Sequence, residues 1–100
     1  MAEEIPINRL PNQETTFYYN GNTFTIHLFQ WRNLMYADIS MNGNPISQGT
    51  RCMPNDYVIQ TETTTNIGGN FKFICVDNEY PFWTLFNKSQ RLEFIPDEEM

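Results

Sequence analysis

The sequence predicts an all-β fold: one small antiparallel β-barrel or sandwich, forming a single domain over residues 1–100. Three observations lead there. Two Asn-Gly pairs, Asn20-Gly21 and Asn42-Gly43, stand between β-rich runs, and Asn-Gly supplies the positive φ angles of tight hairpin turns. The runs between them alternate with period two: Phe24, Ile26 and Leu28 against Thr23, Thr25 and His27, then Met35, Ala37, Ile39 and Met41 against Tyr36, Asp38 and Ser40. No stretch repeats apolar residues at three and four over a helical length, and turn signals recur at roughly 8–12 residue spacing.

Taken in order, Ile5-Pro6-Ile7 opens as a short extended piece, restricted by the missing N–H of Pro6 to an edge or a strand start. Pro11-Asn12-Gln13 breaks the chain. A strand over Glu14–Tyr19 then turns at Asn20-Gly21 into Asn22–Trp31. Arg32-Asn33 connects tightly to Leu34–Met41. After Asn42-Gly43, Pro45 marks the next run as an edge or a departure from the ladder. Met53–Asp56 is a turn before the short strand-like Tyr57-Val58-Ile59. Thr61–Asn66 suits a solvent-facing strand or a mobile loop equally. Phe71–Val76, apolar on both faces towards its end, predicts a central strand. Phe82–Phe86 fits a short strand or one helical turn, with propensity favouring strand. Arg91–Ile95 is the last strand, stopped by Pro96, and Asp97-Glu98-Glu99 follows as a solvated tail. Both termini are expected to be short and mobile.

Composition narrows the function classes. Fifteen aromatics in 100 residues supply enough burial for a core without disulfide or metal. The net charge is −6, and the six bases are scattered, which argues against nucleic-acid recognition because phosphate contact needs clustered Lys and Arg. No apolar run is long enough for a transmembrane helix, so membrane insertion is not expected. The acidic start MAEEIPINRL lacks the apolar region of a secretory signal, which makes a reducing compartment the consistent one. Cys52 and Cys75 read as two buried free thiols; a disulfide has nothing in the sequence to support it.

No catalytic pattern stands out, and neither enzyme, cofactor nor metal is expected. The one histidine, His27, reads as a surface or half-buried imidazole making a single hydrogen bond, since a triad or zinc site needs partners the sequence does not place. Gly68-Gly69 leads into a strand and offers no helix N-terminus to a phosphate. Aromatics are the informative surplus. Phe29 and Trp31 lie on the strand face opposite Phe24, Ile26 and Leu28, and Tyr36 lies on the wetter face of the next strand. Phe29, Trp31 and Tyr36 are therefore candidate anchors for a neighbouring subunit. A rival reading is a stand-alone ligand- or carbohydrate-binding module stacking sugars on Trp31, Tyr36 or Trp83.

The order of these residues resembles the phage baseplate plug proteins of contractile-tailed bacteriophages, typified by the small plug of a cyanophage baseplate. The likeness runs through most of the chain: Ile5-Pro6-Ile7, Pro11-Asn12-Gln13 before Phe17, Gly21, the strand Phe24–Phe29, Tyr36-Ala37-Asp38-Ile39, Gly43-Asn44-Pro45-Ile46, Pro54–Ile59, the Gly-Gly turn and Arg91–Phe94. Met35-Tyr36 stands where a Trp is common in that family. The resemblance implies a virion structural protein without enzymatic activity. It would sit in the central baseplate near the junction of tail tube and hub, and be assembled in the host cytoplasm. Its implied partners are other baseplate, tail-tube and hub proteins and further copies of itself, in a ring of six in preference to three. It adds Pro11, Asn12, Gln13, Pro45 and Ile46 to the interface candidates.

Overall fold

The computed structural model describes residues 3–59 and 68–97, so the Thr61–Asn66 stretch and the extreme termini lie outside the described residues. Among the described residues seven strands follow one another: β1 (Glu3–Ile5), β2 (Asn12–Tyr19), β3 (Asn22–Trp31), β4 (Leu34–Met41), β5 (Asn44–Arg51), β6 (Gly69–Cys75) and β7 (Gln90–Pro96). They make two antiparallel sheets, ordered β2-β3-β4-β5 and β1-β7-β6. The sheets are not joined into a barrel, so of the two forms expected from sequence the sandwich is the one adopted.

Local chemistry sets the first sheet. Asn20 and Gly21 take φ of 51° and 82°, and Asn42 and Gly43 take 52° and 86°, the paired left-handed geometry of a type I′ hairpin. Each turn then fixes a register: Tyr19 opposite Asn22 and onward to Asn12 opposite Phe29, and Met41 opposite Asn44. Between them Arg32, at φ 60°, carries β3 into β4, with eight unbroken pairs from Trp31↔Leu34 to Phe24↔Met41. β5 is an edge strand, as Pro45 suggests, and its pairing with β4 shifts register on both sides of Ile39.

The alternation puts Phe24, Ile26, Leu28, Met35, Ala37 and Ile39 on the inner face, all buried. Across from them stand Ile5, Phe71, Phe73, Cys75, Leu92 and Phe94, in the same cluster. Phe94 is the hub: its ring lies 4.5 Å from Tyr19, 5.2 Å from both Phe17 and Phe71, and 5.9 Å from Phe24. Each fully buried side chain of this size contributes about 1.5–3 kcal/mol. Cys52 and Cys75 are both buried and both free.

Two expectations about strands are corrected. Phe71–Val76 is not central: the strand is β6, it lies at the edge of its sheet, and β7 takes the middle. Its apolar character has another cause. The segment from Cys52 to Ile59 lies along its open side, through bridges Pro54↔Phe73 and Tyr57↔Lys72 and the bonds Asn55 N to Phe73 O (2.9 Å) and Val58 N to Phe71 O (2.8 Å). Phe82–Phe86 is not a strand either. Both sides of β7 are taken by β1 and β6, so no ladder is open to it there. The backbone bonds to itself, Leu85 N to Phe82 O at 2.9 Å, in a single 3₁₀ turn at Trp83–Leu85 that drops Phe86 into the core.

Candidate docking face

The outer face of the four-stranded sheet divides in two. Its polar part centres on His27, whose register partners are Glu14 on β2 and Asp38 on β4. The imidazole makes two side-chain contacts where one was expected: Nε2 lies 2.9 Å from Asn12 Oδ1, and Nδ1 lies 3.4 Å from Asp38 Oδ2. Asp38 also accepts the Gly49 N–H at 2.6 Å, pinning β5 where its register slips. A carboxamide and a carboxylate flank this histidine, and neither is a nucleophile waiting for a base; the arrangement ties β2, β3, β4 and β5 together. Among the described residues no three His, Cys, Asp or Glu converge as metal ligands. No helix of the described residues is long and apolar enough to cross a membrane.

The aromatic part begins one pair further along. Phe29 and Tyr36 are register partners with stacked rings 5.9 Å apart. Trp31 meets Tyr36 edge-on at 6.0 Å, and Phe29 continues the stack to His27 at 5.1 Å. Phe29, Trp31, Tyr36 and Gly49 line a shallow concavity of about 160 Å³. Gly49 holds φ 59° with nothing near its missing side chain, which keeps this rim low. Trp31 is 55% exposed, a large apolar surface facing water. The three aromatics that alternation places on the outer face are thus brought together there.

The other candidates scatter. Asn12 is exposed beside this face, opposite Phe29. Pro11 is exposed, and its carbonyl accepts Gln30 N at 2.8 Å. Gln13 is 9% exposed and turned inward, where its carboxamide accepts from Asn8 N and donates to the Asn8 and Leu10 carbonyls, closing the loop before β2. Pro45 is exposed and Ile46 half-buried against the core; both start β5 at the Asn42-Gly43 end, away from Trp31. Trp83 gives its indole N–H to Gln30 at 3.0 Å instead of standing free.

Sequence reasoning missed the arginines. Arg32 Cζ lies 4.6 Å over the Trp31 ring, and Arg51, the register partner of Tyr36, places Cζ 4.8 Å over the Tyr80 ring. The adjacency of Trp31 and Arg32 could have flagged the first; no local signal joins Arg51 to Tyr80. Trp, Tyr and Arg together are the composition of interface hot spots.

A family model described as Cyanophage baseplate Pam3 plug gp18 matches residues 2–98 of this chain. No curated protein matches it.

Proposed function

From the premise that this chain belongs to the cyanophage baseplate plug family, and so is a structural protein of the bacteriophage baseplate, we propose that it works by protein–protein contact through its aromatic face. In this reading it lies in the central baseplate near the junction of tail tube and hub, as one of a ring of copies, six matching the tube. It assembles in the host cytoplasm and carries no catalytic activity. Other baseplate, tail-tube and hub proteins complete the ring's surroundings.

The observation that supports this most is the Phe29–Trp31–Tyr36 cluster on the open side of the sheet, with Trp31 55% exposed. A core of ten or more buried apolar side chains already fills the other side of the same strands, so folding does not need these rings. Burying one of them against a neighbour contributes about 1.5–3 kcal/mol, with the largest share expected at the centre of a contact. The concavity also offers rings to a sugar, and Arg32 lies over one face of Trp31.

Trp31→Ala separates the readings. The variant is expected to unfold within about 0.5 kcal/mol of the parent, since the ring is largely exposed. Its incorporation into virions, measured by complementing a phage that lacks the parent protein, is expected to fall sharply. Normal incorporation of a folded Trp31→Ala protein overturns the proposal, and glycan binding by a stable monomer would replace it with the carbohydrate reading.

A further inference from the structure

A sheet edge carries a row of backbone N–H and C=O groups without partners, and proteins close such edges with proline, bulges, short strands or a covering segment. Three of the four edges here are closed in these ways. β1 is three residues long and runs into Pro6. β5 carries Pro45, register shifts on both sides of Ile39, and Gly49 at φ 59°. β6 is roofed by the segment from Cys52 to Ile59. β2 has none of these devices. It keeps an unbroken register with β3 from Asn12↔Phe29 to Tyr19↔Asn22, holds no proline or lysine, and has Glu14 as its one charged residue.

The hairpin turn decides which backbone groups of β2 are free. Tyr19 and Asn22 flank a two-residue turn and so form a hydrogen-bonded pair. At the other end Gln30 N donates to Pro11 O at 2.8 Å, in phase with that pair. Bonds to β3 therefore use Gln13, Thr15, Phe17 and Tyr19, and the N–H and C=O groups of Asn12, Glu14, Thr16 and Tyr18 point out from the edge. Among the described residues no backbone group of another segment takes them. These four residues are exposed, Tyr18 at 73%. The chain before β2 meets it through side chains, Thr15 Oγ1 donating to Pro6 O at 3.2 Å.

We propose that this edge receives the same strand of a second copy, running antiparallel about a two-fold axis at Thr15. The sequence of β2 selects that occupant, because its four outward residues are spaced to pair with themselves. Asn12 faces Tyr18 of the other copy and Glu14 faces Thr16 of the other copy, each twice by symmetry. Each such pair exchanges two backbone bonds, about eight in all. Sliding the strands by two residues either sets Glu14 against Glu14 or carries Asn12 past the strand end, against Asn20 of the turn, and leaves fewer bonds. On the outer face a carboxylate then lies beside a hydroxyl, and Tyr18 gains a carboxamide neighbour. On the inner face Thr15 meets Thr15, a favourable cross-strand pair. The axis stands perpendicular to the sheet, so both cores lie on one side and the sheet runs on through both copies. This contact goes beyond the aromatic-face reading and does not rest on it: it makes pairs, where a ring needs a head-to-tail contact.

The test uses the full chain in sedimentation velocity across a concentration series, with urea unfolding to show that each variant is folded. The parent is expected to show a monomer–dimer equilibrium. Thr16 is exposed and faces Glu14 of the other copy, so Thr16→Glu is expected to weaken dimerisation about tenfold and Thr16→Lys to strengthen it by a similar factor. Thr15→Cys sets two thiols at the axis, where facing Cα atoms lie about 4.5 Å apart, within disulfide reach. With oxidised glutathione it is expected to give a covalent dimer on a non-reducing gel, and Thr16→Cys, which does not face itself, is expected to give none. A parent that stays monomeric throughout overturns the pairing and leaves the aromatic-face reading standing. Equal effects of Thr16→Glu and Thr16→Lys overturn it as well, and so does a covalent dimer from Thr16→Cys with none from Thr15→Cys.

Discussion

Replacing Asn70 by alanine removes the clamp that holds the Cys52–Ile59 segment along the open side of β6. Asn70 is 2% exposed, and so is Ile59. Asn70 Nδ2 donates to Ile59 O at 2.8 Å, while Oδ1 accepts from Ile59 N at 3.1 Å and from Phe71 N at 2.7 Å. One side chain thereby does for Ile59 what a neighbouring strand would do. In the alanine variant both backbone groups of Ile59 and the Phe71 N–H lose these partners inside the protein. A buried donor or acceptor left unsatisfied costs about 1–3 kcal/mol, so three of them, relieved in part by local relaxation, put the loss at roughly 2–4 kcal/mol. In a chain of this size that lowers Tm by on the order of 10–20 °C. Urea unfolding followed by tryptophan fluorescence measures the loss, and amide exchange at Val58 and Ile59 locates it. Asn55→Gly is the control, because Asn55 holds φ 53°, which glycine adopts without the strain alanine would add. Asn55 makes the same pair of bonds to Cys75, Oδ1 accepting from N at 2.9 Å and Nδ2 donating to O at 3.0 Å, but it is exposed. Water can replace its carboxamide, so about 1 kcal/mol is expected there. Asn70→Ala within 0.5 kcal/mol of the parent, or equal costs at the two sites, would refute the reasoning that burial decides the magnitude.

Two further outcomes are expected. Phe94→Ala, which empties the hub of the aromatic core, should cost about 3–5 kcal/mol, a large part of the roughly 5–15 kcal/mol typical of such domains; a loss below about 1.5 kcal/mol in chemical denaturation would mean that the surrounding rings collapse into the space. The Cys52 thiol is pushed up from 9.0 to about 12, first by burial and then by the neighbouring Cys75. The fold holds the proton while the unfolded chain begins to lose it near pH 9. This contribution is therefore whole below pH 9 and lost as pH rises to about 12, at no more than about 1.4 kcal/mol per pH unit. Unfolding measured at pH 8, 10 and 11 should show a shallower decline in Cys52→Ala than in the parent, and identical slopes would count against a buried thiol as the cause.

What lay in the sequence was local. Two-residue turns need particular φ values, and Asn20-Gly21 and Asn42-Gly43 are among the few pairs that adopt them cheaply, so two hairpins of one sheet, β2–β3 and β4–β5, and their registers beside the turns were readable from the chain. Period-two alternation then told the inner residues Phe24, Ile26 and Leu28 from the outer Phe29 and Trp31, and the candidate docking face followed from it. Pro45 announced an edge because it lacks a donor. The tertiary structure decided whatever depends on which segments find each other from a distance. A strand apolar on both faces can be central, or it can be an edge roofed by a distant segment; β6 is the second, because Asn55 and Asn70 give the roof its hydrogen bonds. Gln13 looks like a surface residue until the loop at residues 8–10 folds over it. Arg51 meets Tyr80 only once two sheets built from interleaved parts of the chain are stacked. Turn and pleat geometry are properties of a few neighbouring residues, whereas edges and roofs belong to the assembled sandwich.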